Sequence, residues 1–234
     1  MPTFPGPDVA SAWWTWQSLD DGGTLLAEQG KSALHLTPRN LVAPNYGLGS
    51  NGKTGRLTLN GTTQYADMAA AVAARWYATA PTTALTVGIA SRWAAPAAND
   101  IIFSCLNAGP TRGLAVRLSA AERVQVAGYD AAGAVVSATM SADAPLSART
   151  RVVVVTLQPS SSWASAFVDG VPVGCTFAGS NNPIAYDAAV MPTMGAVPGG
   201  GSYHDGDLFP VCIWPRVLLA SEVAAWTAYW RDRT

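Results

Sequence analysis

The sequence is poor in charge. Aspartate, glutamate, lysine and arginine together make up 12% of its 234 residues, about half the usual share, and the net charge is −1. Only two lysines occur, Lys31 and Lys53, and only three glutamates, Glu28, Glu122 and Glu222. The arginines are scattered singly, with no basic stripe of the kind that neutralises phosphates, which excludes an electrostatic nucleic-acid binder. No apolar run reaches the roughly 18 residues of a membrane span. Cysteine is equally scarce. Cys105, Cys175 and Cys212 are odd in number, lack tight spacing and sit in apolar strand-like stretches, so they read as buried reduced thiols. No cysteine–histidine pair has zinc-site spacing. The first seven residues, Met1 to Pro7, lack the basic start and apolar middle of a signal peptide, so the chain reads as made in the cytoplasm and not exported by the general route.

What is present is alanine, aromatics and turn residues. Nine Trp, seven Tyr and five Phe, in a chain 49% hydrophobic, exclude disorder. Short β-rich runs recur every 8–14 residues or so, separated by Gly, Pro, Asn or Ser, which is the pattern of an all-β sandwich. Expected strands include Ala33–Thr37, Gly55–Leu59, Gln64–Met68, Ala84–Trp93, Val171–Thr176, Val190–Val197 and Asp207–Trp214. Val152 to Val155 are apolar on both faces, as in a central strand covered on both sides. Asp169-Gly170 between apolar runs predicts a type I′ hairpin, because that turn needs positive φ at both central positions. Two places read as helix: Ala69–Tyr77, for a turn or two, and Ser221–Asp232. In the second, Ser221 is placed to cap, Glu222 suits the first turn, and Val223, Trp226 and Trp230 form one stripe. No repeat or composition break marks a second domain. The expectation is one domain over 10–234, preceded by an extended Pro-rich arm over 1–9.

Three stretches carry a family resemblance. Residues 52–67 read Gly-Lys-Thr-Gly-Arg-Leu-Thr-Leu-Asn-Gly-Thr-Thr-Gln-Tyr-Ala-Asp. They resemble the early strand pair of laminin-G-like, concanavalin-A-like modules: a Gly-Lys-x-Gly lead-in, an apolar strand, an Asn-Gly turn and a Tyr-x-Asp strand. Residues 167–174, Phe-Val-Asp-Gly-Val-Pro-Val-Gly, are similar to the family's central hairpin. Residues 206–225 are similar to its closing signature, a strand ending Val-x-Ile-Trp, then x-Arg-x-Leu and a short helix. The resemblance implies a two-sheet antiparallel jelly-roll sandwich, used mostly to bind sugars or proteins and sometimes to hydrolyse glycans.

The chemistry narrows those uses. Glucanases of this fold set two or three carboxylates along one strand, as Glu-x-Asp-x-Glu or Glu-x-Asp-x-x-Glu. None of the three glutamates has an acidic residue two positions on, and no Gly-x-Ser-x-Gly supplies a serine nucleophile, with only His35 and His204 to act as base. The expectation is therefore no enzyme. Calcium, the family's common cofactor, wants six to eight oxygens. Asn99, Asp100, Asp205 and Asp207 are the candidate ligands, but Thr62-Thr63-Gln64 and Phe209-Pro210 stand where relatives carry acidic residues, so no cofactor is expected. Aromatic rings that stack on a pyranose face are the other candidate site, with Trp93, Trp163 and Tyr203 near strand ends or loops. Loops around 94–100, 179–183 and 198–205 are expected to carry recognition. Pro2, Phe4, Pro5 and Pro7 stiffen an arm suited to lie along a partner. The functional expectation is a non-catalytic accessory protein on the surface of a phage-like particle, a decoration, spike or fibre component. It would be held by a protein scaffold or its own copies and could bind cell-surface glycans. The alternative is a free-standing lectin-like protein that binds carbohydrate and, after it, a relative of the glycoside hydrolases.

Overall fold

A computed structural model describes residues 12–14, 36–41, 46–48, 55–68, 70–93, 100–119, 121, 123–141 and 149–231. The expected arm over 1–9, Asn99, Glu28 and Glu122 lie outside these residues. Two antiparallel sheets of eight strands pack face to face as a jelly-roll sandwich. The first sheet runs β13 (Val171–Val173), β12 (Trp163–Val168), β11 (Arg151–Gln158), β6 (Leu85–Trp93), β16 (Asp205–Trp214), β4 (Gly55–Asn60), β3 (Tyr46–Leu48). Beyond the end of β4, β1 (Ala12–Trp14) pairs with the second half of β16. The second sheet runs β14 (Cys175–Gly179), β10 (Val135–Met140), β9 (Val124–Tyr129), β8 (Gly113–Leu118), β7 (Asp100–Ser104), β15 (Thr193–Met194), β5 (Tyr65–Met68), β2 (Leu36–Arg39).

Alternation along the strands builds the core. On β11, Val153 and Val155 face the second sheet and join the main core with Leu57, Val87, Ile89, Phe103, Val116, Val126 and Ile213. Val152 and Val154 face the other way, into a second cluster with Ala90, Cys212, Trp214, Val223, Trp226 and Trp230. The four-valine run is thus buried on both faces as its composition predicts, and the second cover is helix α2 (Ala220–Arg231). Gly88 in β6 lets that helix approach. A Cβ there would lie 2.8 Å from the Trp226 ring and 2.9 Å from Trp214. Trp214, Trp226 and Trp230 then stack edge to face at 5.7 and 6.3 Å.

The Asp169-Gly170 turn forms as expected, with φ +50° and +80°, and pairs Val168 with Val171. Asp169 also fastens it: Oδ1 accepts the Val152 N–H at 3.0 Å and Oδ2 accepts Arg151 Nη1 at 2.6 Å. Another carboxylate, Asp130, clamps a loop to the turn between β9 and β10. It accepts the N–H groups of Ala132 and Ala134, the Ser180 hydroxyl and the Asn182 amide. Those bonds, Asn182's first, hold its pKa down at about 2.

Several expectations need correction. The run Val171–Thr176 is two strands in different sheets, because the chain crosses over at Gly174, whose C=O accepts the Ser141 N–H. Most of Val190–Val197 is loop, with only Thr193–Met194 paired. The Ala-rich segment forms a full helix, α1 (Ala70–Thr79), because Ala73 and Trp76 bury at one end of the sandwich, Trp76 against Phe103 at 5.3 Å. Ser221 lies inside α2's first turn and does not cap it. Glu222 does the capping, accepting the Leu219 N–H at 2.8 Å and both terminal nitrogens of Arg216 at 2.7 and 2.6 Å.

Trp226→Ala removes the middle ring of the Trp214–Trp226–Trp230 stack, through which α2 covers the outer face of the first sheet. It is expected to cost about 3–5 kcal/mol in chemical denaturation, whereas Ser221→Ala should change stability little.

Candidate glycan-binding site

The site begins with the alternation of β5. Ala66 and Met68 point into the core, so Tyr65 and Asp67 stand on the outer face of the second sheet. Register places Thr37 of β2 and Thr193 of β15 either side of Asp67, and Ser104 of β7 beyond Thr193. Loops rise around this row. Leu106, Ala108, Val190, Met191, Pro198 and Gly199 complete, with Tyr65, Asp67 and Thr193, a hollow of about 250 Å³. That is just below the ~300 Å³ of small drug-sized pockets, a volume for one sugar ring.

Asp67 is the chemical centre of the hollow. Its side chain is only 8% exposed. Oδ2 accepts Arg39 Nε at 2.8 Å, while Oδ1, buried, has no donor. A carboxylate oxygen in that state is costly unless a ligand supplies the missing hydrogen bond. Arg39, half exposed at the rim, is held protonated still more firmly by the Asp67 bond. The Tyr65 ring lies 6.0 Å from Tyr203, tilted by 47°. Thr193 is already committed, donating to the carbonyls of Ser104 and Ala196. The arrangement offers a partly exposed aromatic pair, one unsatisfied acceptor, a guanidinium at the rim and an apolar wall.

Of the aromatics expected to bind sugar, only Tyr203 is next to this hollow. Trp93 is fully buried and packs edge to face on His204 at 5.8 Å, so it belongs to the core and not to a surface. Trp163 is 42% exposed beside Ser162, whose hydroxyl donates to Asn181 Oδ1 at 2.7 Å. It stands by the first residues of β6, whereas Tyr203 precedes the β16 segment paired with the last ones, so the two share no site. Of the expected calcium ligands that are described, Asp100 and the Asp205/Asp207 pair lie on different sheets. Asp100 is buried on the second sheet; Asp205 and Asp207 lie on the first, where Asp207 accepts the Thr58 hydroxyl at 2.6 Å and has Arg56 at 3.7 Å. Among the described residues no three His, Cys, Asp or Glu side chains gather as a metal site. Sequence reading missed Arg39, Tyr65 and Asp67 as site residues. The available signal was the alternation Tyr-Ala-Asp-Met, which sets a ring and a carboxylate on one face.

A family model described as the concanavalin A-like lectin/glucanases superfamily, of laminin G type, matches residues 60–224, more than half of the chain. The chain belongs to this superfamily. No curated protein sequence matches it. Among solved structures, the binding domain of botulinum neurotoxin serotype G is similar at a TM-score of 0.65 and 12% identity, over 94% of this chain and 51% of that one. The CBM40 of Ruminococcus gnavus IT-sialidase, bound to α2,3-sialyllactose, aligns at 0.56 and 13% identity, over 76% of this chain and 100% of that one. Trypanosoma rangeli sialidase with the inhibitor DANA gives 0.56 and 17%, over 92% of this chain and 32% of that one. The chain spans about half the length of the toxin binding domains it matches, and at these identities the superfamily likeness is one of fold.

His204, next to Tyr203 in sequence and packed on Trp93, makes the fold sensitive to acid. It is fully buried, neither ring nitrogen has a hydrogen-bond partner, and burial pushes its pKa down to about 3. The folded pKa lies below the unfolded one, so the neutral ring's contribution is complete above about pH 6.5 and is lost as pH falls towards 3. Stability is therefore expected to drop by up to about 1.4 kcal/mol per pH unit below pH 6.5, and His204→Phe should flatten the profile between pH 6.5 and 4.5 in urea titrations.

Proposed function

We propose that the protein is a non-catalytic recognition module that binds glycans through the hollow lined by Tyr65, Asp67 and Met191. The observation that carries this reading is the donorless, buried Oδ1 of Asp67 beneath a partly exposed tyrosine pair. A sugar hydroxyl donates to such an oxygen, and a pyranose face packs on such rings. Its relatives lend support. The CBM40 structure holds α2,3-sialyllactose, and the type C neurotoxin is described as entering cells through two ganglioside molecules. The carboxylates favour binding over hydrolysis. Asp130, Asp169 and Glu222 are each held by three or more hydrogen bonds in turns and a helix cap, and Asp207 is tied to Thr58.

A place on a larger assembly, as an accessory component of a virus-like particle, is the second reading. Leu219 and Val171, 67% and 61% exposed near opposite ends of α2, favour it as apolar surface for a scaffold protein.

The first reading is tested by titrating a panel of neutral monosaccharides, lactose and α2,3-sialyllactose. At least one should bind saturably, and Tyr203→Ala and Asp67→Asn should each weaken it tenfold or more, about 1.4 kcal/mol, with unchanged melting temperature. A panel without any saturable binder would defeat the glycan reading.

A further inference from the structure

A second hollow, remote from the first in sequence and of different chemistry, lies where α2 ends against the β12–β13 turn. It encloses about 490 Å³ and is lined by Arg149, Thr150, Arg151, Val168, Asp169, Val171 and Arg231. Three of the chain's twelve arginines meet there, in a sequence with net charge −1. Among the described residues of the lining one carboxylate faces them, and its oxygens are already engaged. Asp169 Oδ1 accepts the Val152 N–H; Oδ2 takes Arg151 Nη1 at 2.6 Å and Arg149 Nη2 at 3.4 Å. The lining therefore carries two positive charges beyond what Asp169 neutralises. Arg151 is only 16% exposed, and its Nε–H is buried without an acceptor. An unmet guanidinium donor in a hollow with surplus positive charge asks for an oxyanion, which arginine receives through paired N–H bonds.

We infer that this hollow is a binding site for an oxyanion-bearing sugar, whose carboxylate or sulfate group is received by Arg149, Arg151 and Arg231. The volume far exceeds that of a bare anion, and Val168 and Val171 supply an apolar wall for the rest of the ligand. Thr150 adds a hydroxyl to the polar side. The inference rests on the carbohydrate reading only for the size and kind of ligand; the charge argument is independent of the Asp67 hollow.

The test uses the full chain and calorimetric titration at fixed ionic strength with glucuronate, glucose 6-sulfate, glucose and inorganic sulfate. Glucuronate or glucose 6-sulfate should bind saturably and at least tenfold tighter than glucose. The double variant Arg149→Gln/Arg231→Gln, which leaves the Arg151–Asp169 pair in place, should lose at least tenfold in that affinity while melting as the parent does. Three results would overturn the inference: equal binding of glucose, affinity that survives in the double variant, or inorganic sulfate binding as tightly as the sugar anions. Asp67→Asn separates the two hollows. If anion binding follows that substitution in place of the arginine pair, this site is wrong and the carbohydrate reading of the first hollow stands.

Discussion

The structure depends on the first sheet being covered twice. Strands β6, β11 and β16 are apolar on both faces, a condition usual for parallel sheets between helices and demanding in an antiparallel sandwich, where one face commonly meets water. The second β-sheet covers one face. Among the described residues α2 covers the other, and it does so with tryptophan: Trp226 reaches Gly88 and Trp214, while Trp230 extends the stack. Features far apart in the sequence serve that contact. Gly88 removes a Cβ from its path, Glu222 holds the first turn, and Asp169 fixes the hairpin whose Gly170 sits over Thr227.

Much of this was legible in the sequence because it rests on local chemistry. The Asp169-Gly170 turn needs positive φ twice, and few other dipeptides satisfy it easily. The valine run is too apolar for a strand with one wet face. The Val223, Trp226, Trp230 stripe has no other use than packing. What was not legible depends on distant partners. Nothing local tells a tryptophan at a strand end whether another chain segment will close over it; the segment carrying His204 does so for Trp93, and none does for Trp163. The split of Val171–Thr176 is invisible for a related reason, since β13 and β14 have the same strand-like composition and differ only in which sheet receives them.

The Asp67 hollow illustrates the limit from the other side. The alternation Tyr-Ala-Asp-Met assigns faces correctly, yet the hollow exists because β15, a strand of two residues, enters between β5 and β7 and brings the loops at Leu106, Met191 and Pro198 around it. Its chemistry is a sum of contributions more than 150 residues apart, from Arg39 to Tyr203. A carboxylate with one oxygen paired and the other bare is a property of that assembly and of no single motif.

The exposed margin of the first sheet has a different consequence. In the β12–β13 hairpin the pair Val168–Val171 closes the two-residue turn, so the next pair, Phe167–Pro172, is of the kind whose backbone groups point away from each other. The position that would offer its N–H outward, to a strand of another molecule, is therefore occupied by the one residue that has none. The hairpin can in this way expose an apolar, strand-shaped rim without pairing edge to edge with another strand.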